Sequence, residues 1–427
     1  MKSMRQSIKQ PMKCKAVLLA ALSVLLFSCK AKQVRAVLWT NNVDFVSYAE
    51  LFNASQDKIR VVPYYFNAPA RKLSESGADS NVDILAGSFL QSGMEEKAFV
   101  NLSSLFRKKG PLFKDDFYEP LLNSCSRNGK QFLIPISFNL PSLVFYSENY
   151  ENVLGATMLS FDSIKEISKK YNVKRRDGVY TSMGFGPLWS SEFLYLVFKD
   201  KGVFFNVDAD SISYTENMFE KNVEFIKDWV EEINEGAKNE EDFAFKYLYM
   251  PFYNQVQNGR CLFSFASSRD ILSLPNDKIR DLDFRWICND GKIQIEDDFV
   301  SMGIYSKSKK KAAAKQFIIW LLNEKTQRKI LERKFKMNLE TDSFGIAGGF
   351  SSLKSSTEKI FPLYYRVMIS NIPLAERLSA PQIFPANWDR IKKQVVEPYI
   401  LAACSDDNSK NKSINERYMD FVASEAK

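Results

Sequence analysis

The sequence predicts an α/β protein of two lobes. Three observations carry that expectation. The chain has 427 residues, more than one ordinary hydrophobic core serves. Its start alternates apolar strand-like runs with helical patterns, which is how a sheet with helices on its faces is written. Its composition, 45% hydrophobic with 34 Phe and 18 Tyr, is that of a packed globular chain and excludes general disorder.

The elements follow in order. RAVLWT (Arg35 to Thr40) reads as a buried strand. A helical pattern follows with Phe45, Tyr48, Ala49 and Phe52 on one face and Asp44 as its N-cap. KIRVVPYYF (Lys58 to Phe66) is a second strand, a polar helical segment carries Arg71 and Lys72, and NVDILAGS (Asn81 to Ser88) is a third strand. This alternation argues for a parallel sheet, and ligands bind off the carboxyl ends of such strands. Trp39 to Asn42 and Gly87 to Phe89 therefore share one rim. The middle is rich in helices, including Phe161 to Asn172, the apolar run ending near Gly202, and ENMFEKNVEFIKDWVEEIN with Phe219, Val223, Ile226 and Val230 on one side. Gly259 to Leu274 reads as strand then helix, Asp297 to Ser308 as a strand, and the run from Lys309 as a helix. Trp229 and Trp320 fall on helix faces and are expected in the core.

Chemistry is bounded by what is missing. The chain has no histidine, so a Ser-His-Asp triad, a Cys-His dyad and a HExxH zinc site are excluded. Ser-x-x-Lys occurs at Ser306 and Ser351 without a KTG box, and chance explains it in a chain rich in both residues. No cofactor and no catalytic residue is expected, although a two-carboxylate glycosidase is not excluded by residue content alone. The formal charge is +8, but Lys2, Arg5, Lys9, Lys13 and Lys15 supply five of it, leaving +3 for the remainder. No nucleic-acid partner is expected on that balance.

The N-terminus is a secretory signal: a basic stretch, then a 12-residue apolar run from Ala16 to Phe27, too short to span a bilayer comfortably. Its end, LLFSC, resembles a bacterial lipobox, with Phe27 as a departure from the usual small or aliphatic residue. That resemblance implies lipidation at Cys29 and stable anchoring in the cell envelope. Export makes a disulfide possible among Cys125, Cys261, Cys288 and Cys404, with three pairings open. Cys261 and Cys288 lie in apolar runs that suit buried free thiols.

NGKQFLIPISFNLPSLVFYSENY (Asn128 to Tyr150) holds two apolar runs broken by two prolines, which strand interiors rarely carry. Taken in order with VLWTNN, KIRVVPYY, VDILAGS, FVNLSSLF, FDSIKEI, NGRCLFSF, SMGIYSKS and KKAAAKQFIIWLL, this stretch makes the chain resemble the extracellular solute-binding proteins of ABC importers, the oligosaccharide-binding group, over residues 34–355. Ile134 stands where that group usually has Gly.

The resemblance implies a two-lobed periplasmic-binding-protein-like type II fold, its cleft between lobes joined by crossover segments. The lobes would be 34–138 with 300–345 and 139–299 with 346–427, after a signal peptide (1–28) and a tether (29–33). The two-proline stretch would be the first crossover, with Ser137, Phe138 and Asn139 facing the cleft. A monomer would close around a sugar-like solute and present it to permease subunits. Trp39, Phe89, Phe138 and Trp189 are the stacking candidates; Asn41, Asn42, Ser88, Asn139, Ser190 and Arg269 are the polar ones. Ser301 and Met302 would lie at the second crossover and Phe350 near the third. A glycerophosphodiester gripped by Arg71, Arg269 or Arg366 is the alternative solute. A non-transport surface lipoprotein using the same fold is the second alternative.

Overall fold

The computed structural model describes residues 33–76, 80–94, 97–153, 157–405 and 412–425. The signal segment and Cys29 lie outside them. Ten strands form the two main sheets: β1 (Val34–Thr40), β2 (Ile59–Tyr65), β3 (Ile84–Gly87), β4 (Leu133–Phe138), β5 (Pro141–Tyr146), β6 (Met158–Ser160), β7 (Ser264–Ser267), β8 (Leu282–Cys288), β9 (Val300–Ile304) and β10 (Phe350–Ser351). The first sheet has the order β10-β4-β9-β3-β1-β2 and the second β7-β5-β8-β6.

The first sheet is mixed rather than parallel throughout. β1 pairs in parallel with β2 and β3, as helical crossovers require. β9 returns from the far side of the chain and pairs antiparallel with both β3 and β4, and β10 pairs antiparallel with β4. None of these joins is a short βαβ crossover, so nothing enforces parallel pairing. Residues 346–351, expected in the second lobe, reach this sheet through the pairing of Phe350 with Phe138.

The two-proline stretch crosses between the sheets. β4 lies in the first and β5 in the second, with Asn139 and Leu140 between them. Pro135 faces Ser301 beside a register shift in β9. The irregularity lets a residue without an N–H sit in a central strand. Pro141 is the first residue of β5, where a missing donor costs little.

Helix α1 (Asp44–Ser55) buries the expected Phe45, Tyr48, Ala49 and Phe52. Its start is held by Asn42, whose Oδ1 accepts the Asp44 N–H at 3.0 Å, rather than by Asp44 as N-cap. Asp44 instead pairs with Lys334 at 3.2 Å and accepts from Ser343 at 2.8 Å. Helices α2 (Phe161–Tyr171), α3 (Ser191–Asp200), α4 (Glu216–Asn234) and α5 (Ala237–Tyr247) cover the second sheet's side, and α6 (Ser268–Leu272) follows β7 directly. The run from Lys309 makes two helices, α7 (Lys311–Leu321) and α8 (Glu324–Lys336), because Asn323 breaks the first and caps the second. Among the described residues no helix is long and apolar enough to cross a membrane.

Two apolar clusters fill the molecule: one surrounds the first sheet and takes in second-sheet residues such as Phe284 and Trp286, and the other packs on the second sheet through Leu143, Phe145 and Ile287. Trp39, Phe138, Met302 and Phe350 are in the first; Trp229 is fully buried in the second. Trp320 packs edge-on to Phe52 at 5.3 Å. Cys125, Cys261, Cys288 and Cys404 are all buried free thiols. Phe350 touches four aromatic rings, with centroids 5.6 Å from Phe138, 5.9 Å from Trp286, 4.9 Å from Phe344 and 6.2 Å from Phe361. Phe350→Ala should therefore cost about 3–5 kcal/mol in denaturant unfolding. An unchanged unfolding midpoint would mean that the ring serves a ligand rather than the core.

Candidate ligand-binding cleft

β1 and β3 run parallel and end side by side, so the residues just past them share a rim. Asn41 Oδ1 accepts the Ser88 N–H at 3.3 Å. A Cβ on Gly87 would fall 2.1 Å from that oxygen, so a larger residue there would push the Asn41 side chain off the Ser88 N–H. Phe89 follows in the left-handed region, φ 57°, unusual for a bulky residue. Its backbone belongs to the first sheet's rim, yet its ring is buried in the second cluster. Phe89 thus reaches across the space between the sheets.

Two chain crossings and the loop before β10 meet beneath it. Ser88 Oγ donates to the Asp298 carbonyl at 2.7 Å, and Arg269 Nη2 donates to the Asp298 carboxylate at 2.7 Å. Arg269 Nε and Asn139 Nδ2 both donate to the Gly348 carbonyl, at 3.3 and 2.9 Å. Ser268 Oγ donates to Asn139 Oδ1 at 2.8 Å. Asn42 Nδ2 and Ser137 Oγ both donate to the Ala347 carbonyl, at 2.8 and 3.2 Å. Ala347 and Gly348 take φ of 48° and 76°, which aims successive carbonyls at these donors.

Two contiguous cavities open on this floor. One, of about 360 Å³, is lined by Asn41, Asn42, Asn67, Ser88, Asp342 and Gly348. The other, of about 330 Å³, is lined by Glu192, Tyr195, Leu196, Phe265, Ser267 and Glu296. Phe89, Arg269, Asp298 and Asp389 line both, so they are halves of one cleft. Beneath the second half, Asp297 is buried and bound by Lys199, by the Tyr195 hydroxyl at 2.5 Å and by the Trp388 N–H at 3.3 Å. A third recess, of about 320 Å³, lies beside Trp189 and Ser190.

The cleft thus brings together Asn41, Asn42, Ser88, Phe89 and Arg269. The other expected residues lie elsewhere. Trp39 sits one position before its strand ends and packs inward against Phe66 at 4.9 Å. Phe138, Met302 and Phe350 lie within strand register and are core. Ser301 is buried and accepts from Gln91 at 3.3 Å; Ser137 and Asn139 are buried as ties between crossings. Trp189 and Ser190 line the separate recess. Arg71 is paired with Glu75 and Glu425, and Arg366 is exposed and lines neither half. Asn67, just past β2, was reachable by the strand-end rule that found Asn41. Asp298, Asp389 and Phe265 carry no such signal, because other segments bring them in.

Charge in the cleft is uneven. Burial works against the Asp298 carboxylate, but Arg269 holds it below the ordinary carboxylate value. Glu296 has Ser267 as its donor at 3.0 Å, and burial and then Asp298 push it up from 4.5 to about 7. A carboxyl whose folded value is raised stabilises the fold at low pH. That contribution is lost as pH rises from about 4.5 through about 7. Glu296→Gln keeps an acceptor for Ser267 and carries no charge. Its melting temperature, relative to that of the unaltered protein, should be higher at pH 8 than at pH 5; parallel pH profiles would show that Glu296 is ionised in the fold.

The geometry matches known proteins. Residues 47–336 match the family described as bacterial extracellular solute-binding protein. No curated protein matches the chain in sequence. An ABC substrate-binding protein from Listeria monocytogenes, in complex with cycloalternan, is 13% identical with a TM-score of 0.56, over 92% of this chain and 98% of that one. A cyclic alpha-maltosyl-1,6-maltose binding protein from Arthrobacter globiformis is 14% identical with a TM-score of 0.58, over 90% of this chain and 96% of that one. An extracellular solute-binding protein family 1 member from Alicyclobacillus acidocaldarius is 14% identical with a TM-score of 0.61, over 92% and 98%. At these identities the likeness is one of fold. With the family match across most of its length, this chain belongs to the bacterial extracellular solute-binding proteins.

Proposed function

We propose that the protein captures a sugar or oligosaccharide between two lobes and delivers it to the permease of an ABC importer. The carrying observation is that polar and aromatic side chains line one cleft together. Asn41, Asn42, Asn67 and Ser88 line one half with amides and a hydroxyl, Phe265 lines the other half, and Phe89 lines both. A sugar ring has hydroxyls at its edge and apolar faces, so it uses both kinds of surface at once. The saccharides named for the structural neighbours from Listeria monocytogenes and Arthrobacter globiformis support the same solute class.

The lobes in this reading are the bodies around the two sheets, with residues up to 351 in the first and hinge closure about the crossings. Cys29 would carry the lipid anchor, keeping the protein at the envelope beside its permease. A phosphodiester suits the cleft poorly. Arg269 is already paired with Asp298, Lys199 is spent on Asp297, and the remaining cations of the lining, Lys392 and Lys393, stand against Glu192, Asp342 and Asp389.

A thermal-shift screen of the mature chain with mono- and oligosaccharides tests the reading. A solute at a hundred times its dissociation constant should add about 2.7 kcal/mol. Arg269→Ala, which removes a cleft donor, should weaken that solute's binding about tenfold or more. If no saccharide shifts the transition, the solute class is wrong.

A further inference from the structure

We propose that the groove between the ends of α1, α7 and α8 seats the phosphate of an anionic phospholipid headgroup, so that the first lobe rests on the membrane beside its own anchor. The membrane half of this inference rests on the reading of Cys29 as the lipidated residue. The groove is about 420 Å³ and shares no lining residue with either half of the cleft.

Its lining suits an anion. Asn323 caps α8 by accepting the Lys325 N–H at 3.0 Å, which leaves the N–H groups of Glu324 and Thr326 without acceptors among the described residues. A helix start with free N–H groups attracts negative charge. Independently of the helix, Thr326 is only 9% exposed and lines the groove, yet its hydroxyl has no hydrogen-bond partner among the described residues. That oxygen is not sealed in the core, so it opens on the groove. Lys325 and Lys329 line the same space, and among the described residues neither pairs with an acid. Glu324, at the start of the helix, is exposed and outside the lining. Two uncompensated cations, free N–H groups and a free hydroxyl are the donors a phosphate takes. Leu51, Ala54 and the Trp320 ring add apolar surface to the groove. An indole beside lysines suits the membrane interface, where apolar and charged groups meet.

Position selects a lipid headgroup over a free phosphate. β1 and β2 pair in parallel, so α1 between them runs the other way and ends beside their starts. The Val34 N–H donates to the Lys58 carbonyl at 2.9 Å. Lys58 stands three residues past Ser55, which ends α1 and lines the groove. The groove thus opens at the end of the first lobe where the chain arrives from Cys29. Residues 30–33 span at most about 14 Å. The cleft rim is at the opposite ends of β1 and β3, so a headgroup in the groove leaves the cleft clear of the membrane.

Co-sedimentation of the mature, unlipidated chain with phosphatidylcholine vesicles, plain or containing about a third phosphatidylglycerol, tests this. Binding should be about tenfold stronger to the anionic vesicles. Lys325→Gln combined with Lys329→Gln should remove that difference. The double variant should melt no lower than the unaltered protein, because it takes cations away from a helix start. Thr326→Val, the same shape without the hydroxyl, should weaken binding severalfold. Equal binding to both vesicles, or no loss in the double variant, overturns the headgroup site. Unchanged binding by Thr326→Val overturns a seated phosphate and leaves only a diffuse basic surface. A melting shift with millimolar inorganic phosphate but no binding to anionic vesicles overturns the lipid and assigns the groove to a free anion. Fatty-acid labelling of the full chain in a bacterial host reads the anchor separately. Label without binding to anionic vesicles overturns the headgroup site alone; vesicle binding without label supports the groove and overturns the anchor.

Discussion

The architecture depends on one carbonyl. Gly348 O accepts from Asn139, in the first crossing, and from Arg269, at the start of the second sheet's helix α6. Arg269 in turn grips Asp298, in the second crossing, and Ser88 ties that crossing back to the rim of the first sheet. Without this junction the sheets would be held by chain connectivity and by apolar packing such as Trp286 on Phe350, with no hydrogen-bonded floor between them. With it, the cleft floor has a defined shape in which polar groups are paired before any solute arrives. Such a floor favours binding because little is left to order.

The junction also explains why the cleft holds so few of the aromatic candidates. The chain has 34 Phe, 18 Tyr and 6 Trp, and two lobes need most of them. Around Phe350 alone, Phe138, Trp286, Phe344 and Phe361 form a continuous aromatic packing. This packing fills the space behind the crossings, so the crossings are braced from below by rings and joined above by hydrogen bonds.

Much of this was legible in the sequence. β1, β2 and β3 could be read from their apolar runs, and the position past a strand end picked out Asn41, Asn42, Ser88 and Phe89. The same logic misjudged Trp39, because one residue before the end a side chain still faces the core. Phe350 was misjudged for a related reason. Gly348 and Gly349 look like a loop, yet the next residue already pairs with Phe138. Asp298 and Asp389 were out of reach, since their place in the cleft is a property of how distant segments meet. The mixed character of the first sheet was hidden likewise, because strand direction follows connectivity rather than residue type.

The four buried thiols have a consequence for how such a protein meets its surroundings. Thiol chemistry runs through the thiolate, and burial pushes Cys261 and Cys404 up to about 12 and raises Cys125 and Cys288 as well. Each sulfur is therefore protonated and shielded in the folded chain. Among the described residues no disulfide ties the fold, so its packing does not draw on an oxidising medium.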